Sequence, residues 1–177
     1  MKPIKSVIVA VGLVASALAT GGTVLVGTTA ASAASAKSCV ASQIKVTHGP
    51  RDGVAGTIYF PIIFTNTGAT CTIYGAPAIQ PVTGSTHRVV GPSASSEAIG
   101  LKQPRHTLAK GHSVSSAYGV VATGNFSAKT CVAQKVSGVL VKLGSIVPST
   151  YVSLPITVCS KRSSTTTRLI ATGVTGN

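Results

Sequence analysis

Hydrophobic side chains along this chain recur mainly at every second position. Between Thr57 and Thr65 the even positions are Ile58, Phe60, Ile62 and Phe64, and the odd ones include Thr57, Tyr59, Ile63 and Thr65. Strand side chains alternate between two faces, so the even set predicts a face against a core. Ile63 and Tyr59 predict that the second face is partly covered too. Pro61 has no N–H to give a ladder, which predicts an edge strand or a bulge there. Asn66-Thr67-Gly68 reads as a tight reversal, because Asn and Gly tolerate positive φ. Cys71 to Tyr74 then reads as the returning strand of a hairpin, ended by Gly75-Ala76-Pro77. Turn chemistry accounts for Asn66 and Gly68 without a ligand-contacting role.

The same period runs through the rest of the chain. Residues 42–48 alternate Ile44, Val46 and His48 against Gln43, Lys45 and Thr47, and 49–53 are a turn by composition. Residues 78–82 and 86–90 predict a second hairpin around Thr83-Gly84-Ser85. A loop over 91–97 and a short strand over 99–103 follow. A turn over 108–112 then feeds a strand over 113–121, with Val114, Tyr118 and Val120 on one face. After a polar loop, 122–130, comes a strand over 136–143 with Val139, Val141 and Leu143 on one face and Lys142 on the other. Residues 145–150 turn the chain. Val152, Leu154, Ile156 and Val158 alternate up to Cys159, a basic, hydroxyl-rich loop covers 160–167, and a last strand spans 168–174. No sustained 3.6-residue period and no internal repeat occurs. The expectation is an all-β, antiparallel, immunoglobulin-like β-sandwich of roughly seven to nine strands.

The N-terminus reads differently. Lys2 and Lys5 precede an apolar run from Val7 to Ala19, loosely continued to Val26, and then Ala31-Ser32-Ala33 and Ala34-Ser35-Ala36. This is a signal-peptide pattern over 1–36, leaving 37–177 as one exported domain. Residues 7–26 could just span a bilayer as an uncleaved anchor, but two stacked Ala-x-Ala sites favour cleavage. Which of the two is cut stays open. Ala36-Lys37-Ser38 before Cys39 is not the small, uncharged approach a lipidated cysteine requires. A domain of about 140 residues buries roughly two-thirds of its unfolded surface, enough for one core.

Four cysteines, Cys39, Cys71, Cys131 and Cys159, follow the leader, which predicts two disulfides in an exported chain. Of the three connectivities, Cys39–Cys71 with Cys131–Cys159 is favoured, because each pair brackets a strand-turn-strand segment. A metal site or a reactive thiol would need closer ligand spacing.

Several of these features occur together in one known family. The chain opens near Cys39, carries Phe64-Thr65-Asn66-Thr67-Gly68 before Cys71-Thr72-Ile73-Tyr74-Gly75-Ala76-Pro77, and sets Leu108-Ala109-Lys110-Gly111 ahead of a small-residue strand. It resembles the exported, mostly actinobacterial domain-of-unknown-function family 4232 over residues 39–174. The family's leucine turn is typically followed by a proline and a glycine, from which Lys110-Gly111 departs. The resemblance implies a β-sandwich and a secreted or cell-surface location, and it implies no activity and no functional residues.

Candidate chemistry is sparse. The 177 residues include fifteen Lys and Arg against two acids, a formal charge of +13. Without Lys2 and Lys5 the mature value is 13 − 2, about +11. Of the acids, Asp52 lies in an Asp-Gly turn where it caps its own backbone, and Glu97 lies in a polar loop, so paired-carboxylate catalysis has little to work with. No Gly-x-Ser-x-Gly occurs, and Gly119 to Gly124 has P-loop glycine spacing with Asn125-Phe126 where Lys-Ser/Thr is needed. Asn125-Phe126-Ser127 is a formal glycosylation acceptor, which marks an exposed loop. His48, His87, His106 and His112 lack metal-ligand spacing, so no metal, no cofactor and no catalytic residue is expected.

Lys102, Arg105, His106, Lys110 and His112 form the densest basic run, and Lys161, Arg162 and Arg168 a second. On one face, these would bind polyanions through counterion release. The seven aromatics are expected mostly at inward positions, which disfavours nucleic acid. The expectation is a non-catalytic cell-envelope or extracellular protein that binds anionic envelope polymers or another exported protein. The alternatives are a hydrolase with an unrecognised site around His106 and His112, or a secreted inhibitor or adhesion module using the 122–130 loop. The null for the charge is that basic residues simply keep the domain soluble.

Overall fold

The computed structural model describes residues 36–96, 105–144, 146–162 and 164–168; the side chains at 54, 95, 96 and 166–168 are not considered. Its strands are β1 (Ile44–His48), β2 (Asp52–Val54), β3 (Thr57–Asn66), β4 (Cys71–Ile73), β5 (Ala78–Thr83) and β6 (Arg88–Val89). They continue with β7 (Ser95–Ser96), β8 (His106–Leu108), β9 (Ser113–Val121), β10 (Ala133–Leu143), β11 (Val147–Cys159) and β12 (Thr165–Arg168). Short 3-10 turns occupy Ala41–Gln43 and Thr123–Asn125. Five of the twelve strands have three residues or fewer.

One sheet has the order β1-β3-β9-β12-β7, with β2 also on β3; the second has the order β11-β10-β5-β6; β4 and β8 form a small third pair. All pairings between these strands are antiparallel except β12 with β7. Side chains from all three sheets merge into one core. Phe60, Ile62, Phe64, Tyr118 and Val120 of the first meet Ile79, Val139, Val141 and Leu154 of the second, with Ile73 and Leu108 of the third. Fully burying one large apolar side chain is worth roughly 1.5–3 kcal/mol, so this shared inner layer is the main force holding the sandwich closed. Cys39–Cys71 and Cys131–Cys159 form the two disulfides, as the spacing predicts. The first ties the chain start to β4 and the second ties the start of β10 to the end of β11.

The expected face of β3 is the buried one: Phe60, Ile62 and Phe64 point inward, and the odd positions are half-covered. Strand β9 has its predicted bounds, and Val139, Val141 and Leu143 of β10 are buried while Lys142 is exposed. The hairpin at Gly84 forms, with Val82 opposite Val89.

Other expectations are corrected. Strand β3 is central, with β1 and β2 on one side and β9 on the other. Pro61 is tolerated because the neighbouring ladder breaks opposite it: β1 ends at His48, β2 begins at Asp52, and only the Pro61 carbonyl is used, accepting from Gly49 N at 2.9 Å. Gly49 fits there because a Cβ would come within 2.7 Å of the Pro61 ring. Strands β3 and β4 do not form a hairpin, since β4 pairs with β8. The connection is an arch that carries the chain out of the first sheet, and neither Asn66 nor Gly68 has positive φ.

Asn66 continues the inward series of β3 and is fully buried. Its Oδ1 accepts from Gly68 N, and its Nδ2 donates to the carbonyls of Ala69 and Leu108, each at 2.9 Å. Gly68 is required for close approach, because a Cβ would meet the Gln43 side chain at 2.7 Å. The supposed loops at 91–97 and 160–167 contain β7 and the start of β12, and the turn before β11 ends at Ile146. The strand expected over 99–103, and residues 169–174 of the one expected last, lie outside the described residues.

Candidate functional site

The basic residues are surface groups throughout. Every Lys and Arg whose side chain is described, namely Lys37, Lys45, Arg51, Arg88, Arg105, Lys110, Lys129, Lys135, Lys142, Lys161 and Arg162, is exposed. Among the described residues Asp52 is the only acid, and its Oδ1 accepts from Gly53 N at 2.8 Å. Its cross-strand partner is Tyr59, so it lies on the outer face of the first sheet. Glu97 lies outside the described residues.

The first predicted basic run lies around β8 and the turn after it, and the second follows β11. Arg105, just before β8, has its guanidinium carbon 4.2 Å from the centre of the exposed Tyr74 ring and Nη1 3.5 Å from Thr72 Oγ1. A cation held over a surface aromatic gains roughly 0.5–1 kcal/mol, which orders the side chain more than it stabilises the fold. His106 follows on the opposite face of β8, opposite Ile73, so it does not share a surface with Arg105. Lys110 and His112 lie on the β8–β9 turn. Lys110 is exposed, while the His112 carbonyl accepts from Asn66 N at 3.0 Å and its own N–H donates to Ala109. Lys161 and Arg162 follow β11, with Arg162 4.4 Å from the ring centre of Phe126. Arg168 ends β12 opposite Ala117, and Lys102 lies outside the described residues.

Only Phe60, Phe64 and Tyr118 of the seven aromatics are buried, which corrects the expected inward majority. Tyr59, Tyr74, Phe126 and Tyr151 reach the surface, and His87 stacks on Tyr151 with ring centres 4.1 Å apart. These four sit at strand ends and outer-face positions where alternation no longer reports burial.

Tyr118 of β9 is fully buried. Burial pushes its phenol well above the ordinary tyrosine range, and the neighbouring Thr165 hydroxyl, which favours the ionised form, opposes this only in part. Buried beneath the sheet, it is a packing group and not a proton donor to solutes. No set of three His, Cys, Asp or Glu side chains gathers as a metal site among the described residues, and all four cysteines are in disulfides.

Sequence reasoning missed a cleft of about 590 Å³ where the two sheets part at one end. Ile58 and Phe60 of β3, Val120 of β9, and Leu154 and Ile156 of β11 form its walls. His48, Arg51 and the turn around Thr123 form its mouth. The signal that could have revealed it is a pair of strand interruptions. The β1–β2 break at Gly49-Pro50-Arg51 lies on one side, and a bulge in β11 lies on the other, where Leu154 and Pro155 together face Ser137. Bulges re-aim side chains and often flank sites.

A family model for a domain of unknown function (DUF4232) matches residues 39–174. The chain belongs to that family. The DUF4232 match runs over the same residues as the resemblance seen in the sequence, and it contains both disulfides and the whole cleft. No curated protein matches the chain, and no solved structure does. The disulfides of this DUF4232 domain are compatible with an exported protein, and no helix among the described residues is long and apolar enough to cross a membrane.

Proposed function

We propose that this DUF4232 protein is a non-catalytic, exported β-sandwich of the cell envelope or its surroundings, and that it binds anionic envelope polymers through its dispersed cations. The observation that carries this reading is that, among the described residues, eleven lysines and arginines are exposed beside one acid already bonded to its own backbone. Such a surface attracts a flexible polyanion from many directions by releasing its counterions, and needs no single pocket to do so. Arg105 on Tyr74 and Arg162 on Phe126 supply two cations whose positions are restrained before binding. The protein scaffold fits a binding role: two of its fully buried polar side chains, Asn66 and Tyr118, serve the fold.

Cosedimentation of the mature protein with a polyglycerol phosphate polymer, from 50 to 500 mM salt, tests the reading. Affinity should fall linearly in log–log form as salt rises. Replacing Lys110, Lys161 and Arg162 together by Ala should flatten the slope. Binding that is absent at low salt, or indifferent to salt, sinks the polymer reading. An acidic exported protein recovered by crosslinking in place of polymer would transfer the same surface to a protein partner.

A further inference from the structure

We propose that the cleft at the open end of the sandwich is a binding site for a monomeric amphipathic carboxylate, with its alkyl chain between the sheets and its head group at Arg51. The volume, about 590 Å³, falls in the roughly 300–1,000 Å³ range of small-molecule sites. Its walls are side chains that would complete the core if the sheets closed: Phe60 and Leu154 are buried at the floor, while Ile58 and Ile156 remain half-exposed toward the opening. Core-type residues left facing solvent favour an apolar occupant.

The mouth selects its charge. Arg51 is exposed there, and the neighbouring Asp52 lies on the outer face beside Tyr59, with its carboxylate on Gly53 N. His48, also at the mouth, donates its Nδ1–H to the Gly49 carbonyl at 3.0 Å, so Arg51 is the group there that can pair with a carboxylate. Among the described residues no carboxylate lines the cleft. An apolar slot with a cationic rim and no anion therefore matches an acyl chain ending in a carboxylate better than a neutral or cationic amphiphile.

The backbone is shaped to keep this end open. The edge beside β3 breaks at Gly49-Pro50-Arg51, and β11 bulges at Leu154-Pro155, so both walls depart from regular pairing at the same level. Strands β7 and β12 run in parallel away from this end, from Thr165 opposite Val120 to Arg168 opposite Ala117. The described start of the chain is bonded to Thr72, near the Asn66 end of β3.

The test uses the mature protein with octanoate, decanoate and dodecanoate by titration calorimetry, alongside dodecanol and dodecyltrimethylammonium. Methyl NMR of Ile58 and Ile156 reports the location. Affinity should climb roughly three- to fourfold per added methylene, dodecanoate should bind more tightly than the alcohol or the cation, and both isoleucine methyls should shift. Arg51→Glu, in an exposed segment, should weaken dodecanoate roughly fivefold or more and leave dodecanol unchanged. Ile156→Trp, checked for an unchanged thermal transition, should weaken both. The proposal is overturned if dodecanoate does not bind, if affinity ignores chain length, if the shifts fall on residues outside the cleft, or if Arg51→Glu leaves the carboxylate preference intact.

Discussion

Replacing Asn66 by Ala tests the least obvious device in the fold, the arch that takes the chain from β3 to β4. Asn66 is fully buried, and its side chain satisfies three backbone groups: the N–H of Gly68 and the carbonyls of Ala69 and Leu108. Truncation strands all three. The Leu108 carbonyl is buried, and an unpaired buried acceptor costs roughly 1–3 kcal/mol; the two partly buried groups lose about 0.5–1.5 kcal/mol each. The sum is about 2–6 kcal/mol, a large share of the roughly 5–15 kcal/mol by which domains are stable. Urea unfolding with both disulfides intact should show a midpoint lower by roughly 2 M, with the slope unchanged. Asn66→Asp supplies an internal check. It keeps the acceptor for Gly68 but turns an oxygen toward two carbonyls, so ionisation is disfavoured in the fold and the folded-state pKa rises. The folded protein then binds the extra proton, and stability falls as pH rises through the carboxylate range. If Asn66→Ala unfolds within about 0.5 M urea of the parent, the arch is not held by these bonds and the account of β4 as a strand of its own sheet loses its cause.

Gly138→Ala should be the most damaging single methyl in the sandwich. A Cβ there would lie 2.3 Å from the Val152 carbonyl and 2.7 Å from the Tyr151 ring, across the pairing of β10 with β11. Soluble yield and the thermal transition should both collapse, and a variant that melts like the parent would show that the two strands can separate freely. Removing Cys131–Cys159 by a double Ala substitution opens a loop of 28 residues and should cost about 3.5 kcal/mol in denaturant unfolding, against less than about 1 kcal/mol if β10 and β11 hold each other unaided. Alkaline spectrophotometric titration should leave one phenol protonated until the fold is lost, and Tyr118→Phe should remove that phase. The sign follows from the raised folded-state pKa: Tyr118 contributes fully below the unfolded tyrosine value near about 10, and the contribution is lost as pH rises beyond it.

What alternation reports was readable in advance. The inner faces of β3, β9 and β10 are at the expected positions, because each strand is long enough for its period to show and each has one face on the core. Partner choice was not readable. The run Asn66-Thr67-Gly68 has the composition of a hairpin turn, but whether β4 returns beside β3 or joins β8 depends on where Leu108 and the 109–112 turn arrive from much further along the chain. One local clue existed. Asn66 falls on the even, inward parity of β3, so an amide was directed into the core and needed partners there.

The candidate site was hidden for a related reason. A proline within a strand says that the ladder fails locally, and Pro61 and Pro155 each announce this in the sequence. Nothing local says that the break opposite Pro61 and the bulge at Pro155 come to one end of the same sandwich, because that depends on packing one sheet on the other. The charge is legible in the opposite sense: its amount is plain from composition, while alternation separates Arg105 from His106. A polyanion can use dispersed cations, and a small carboxylate cannot. The two binding modes therefore separate experimentally, since added salt should release the polymer while leaving most of the chain-length dependence of the cleft in place.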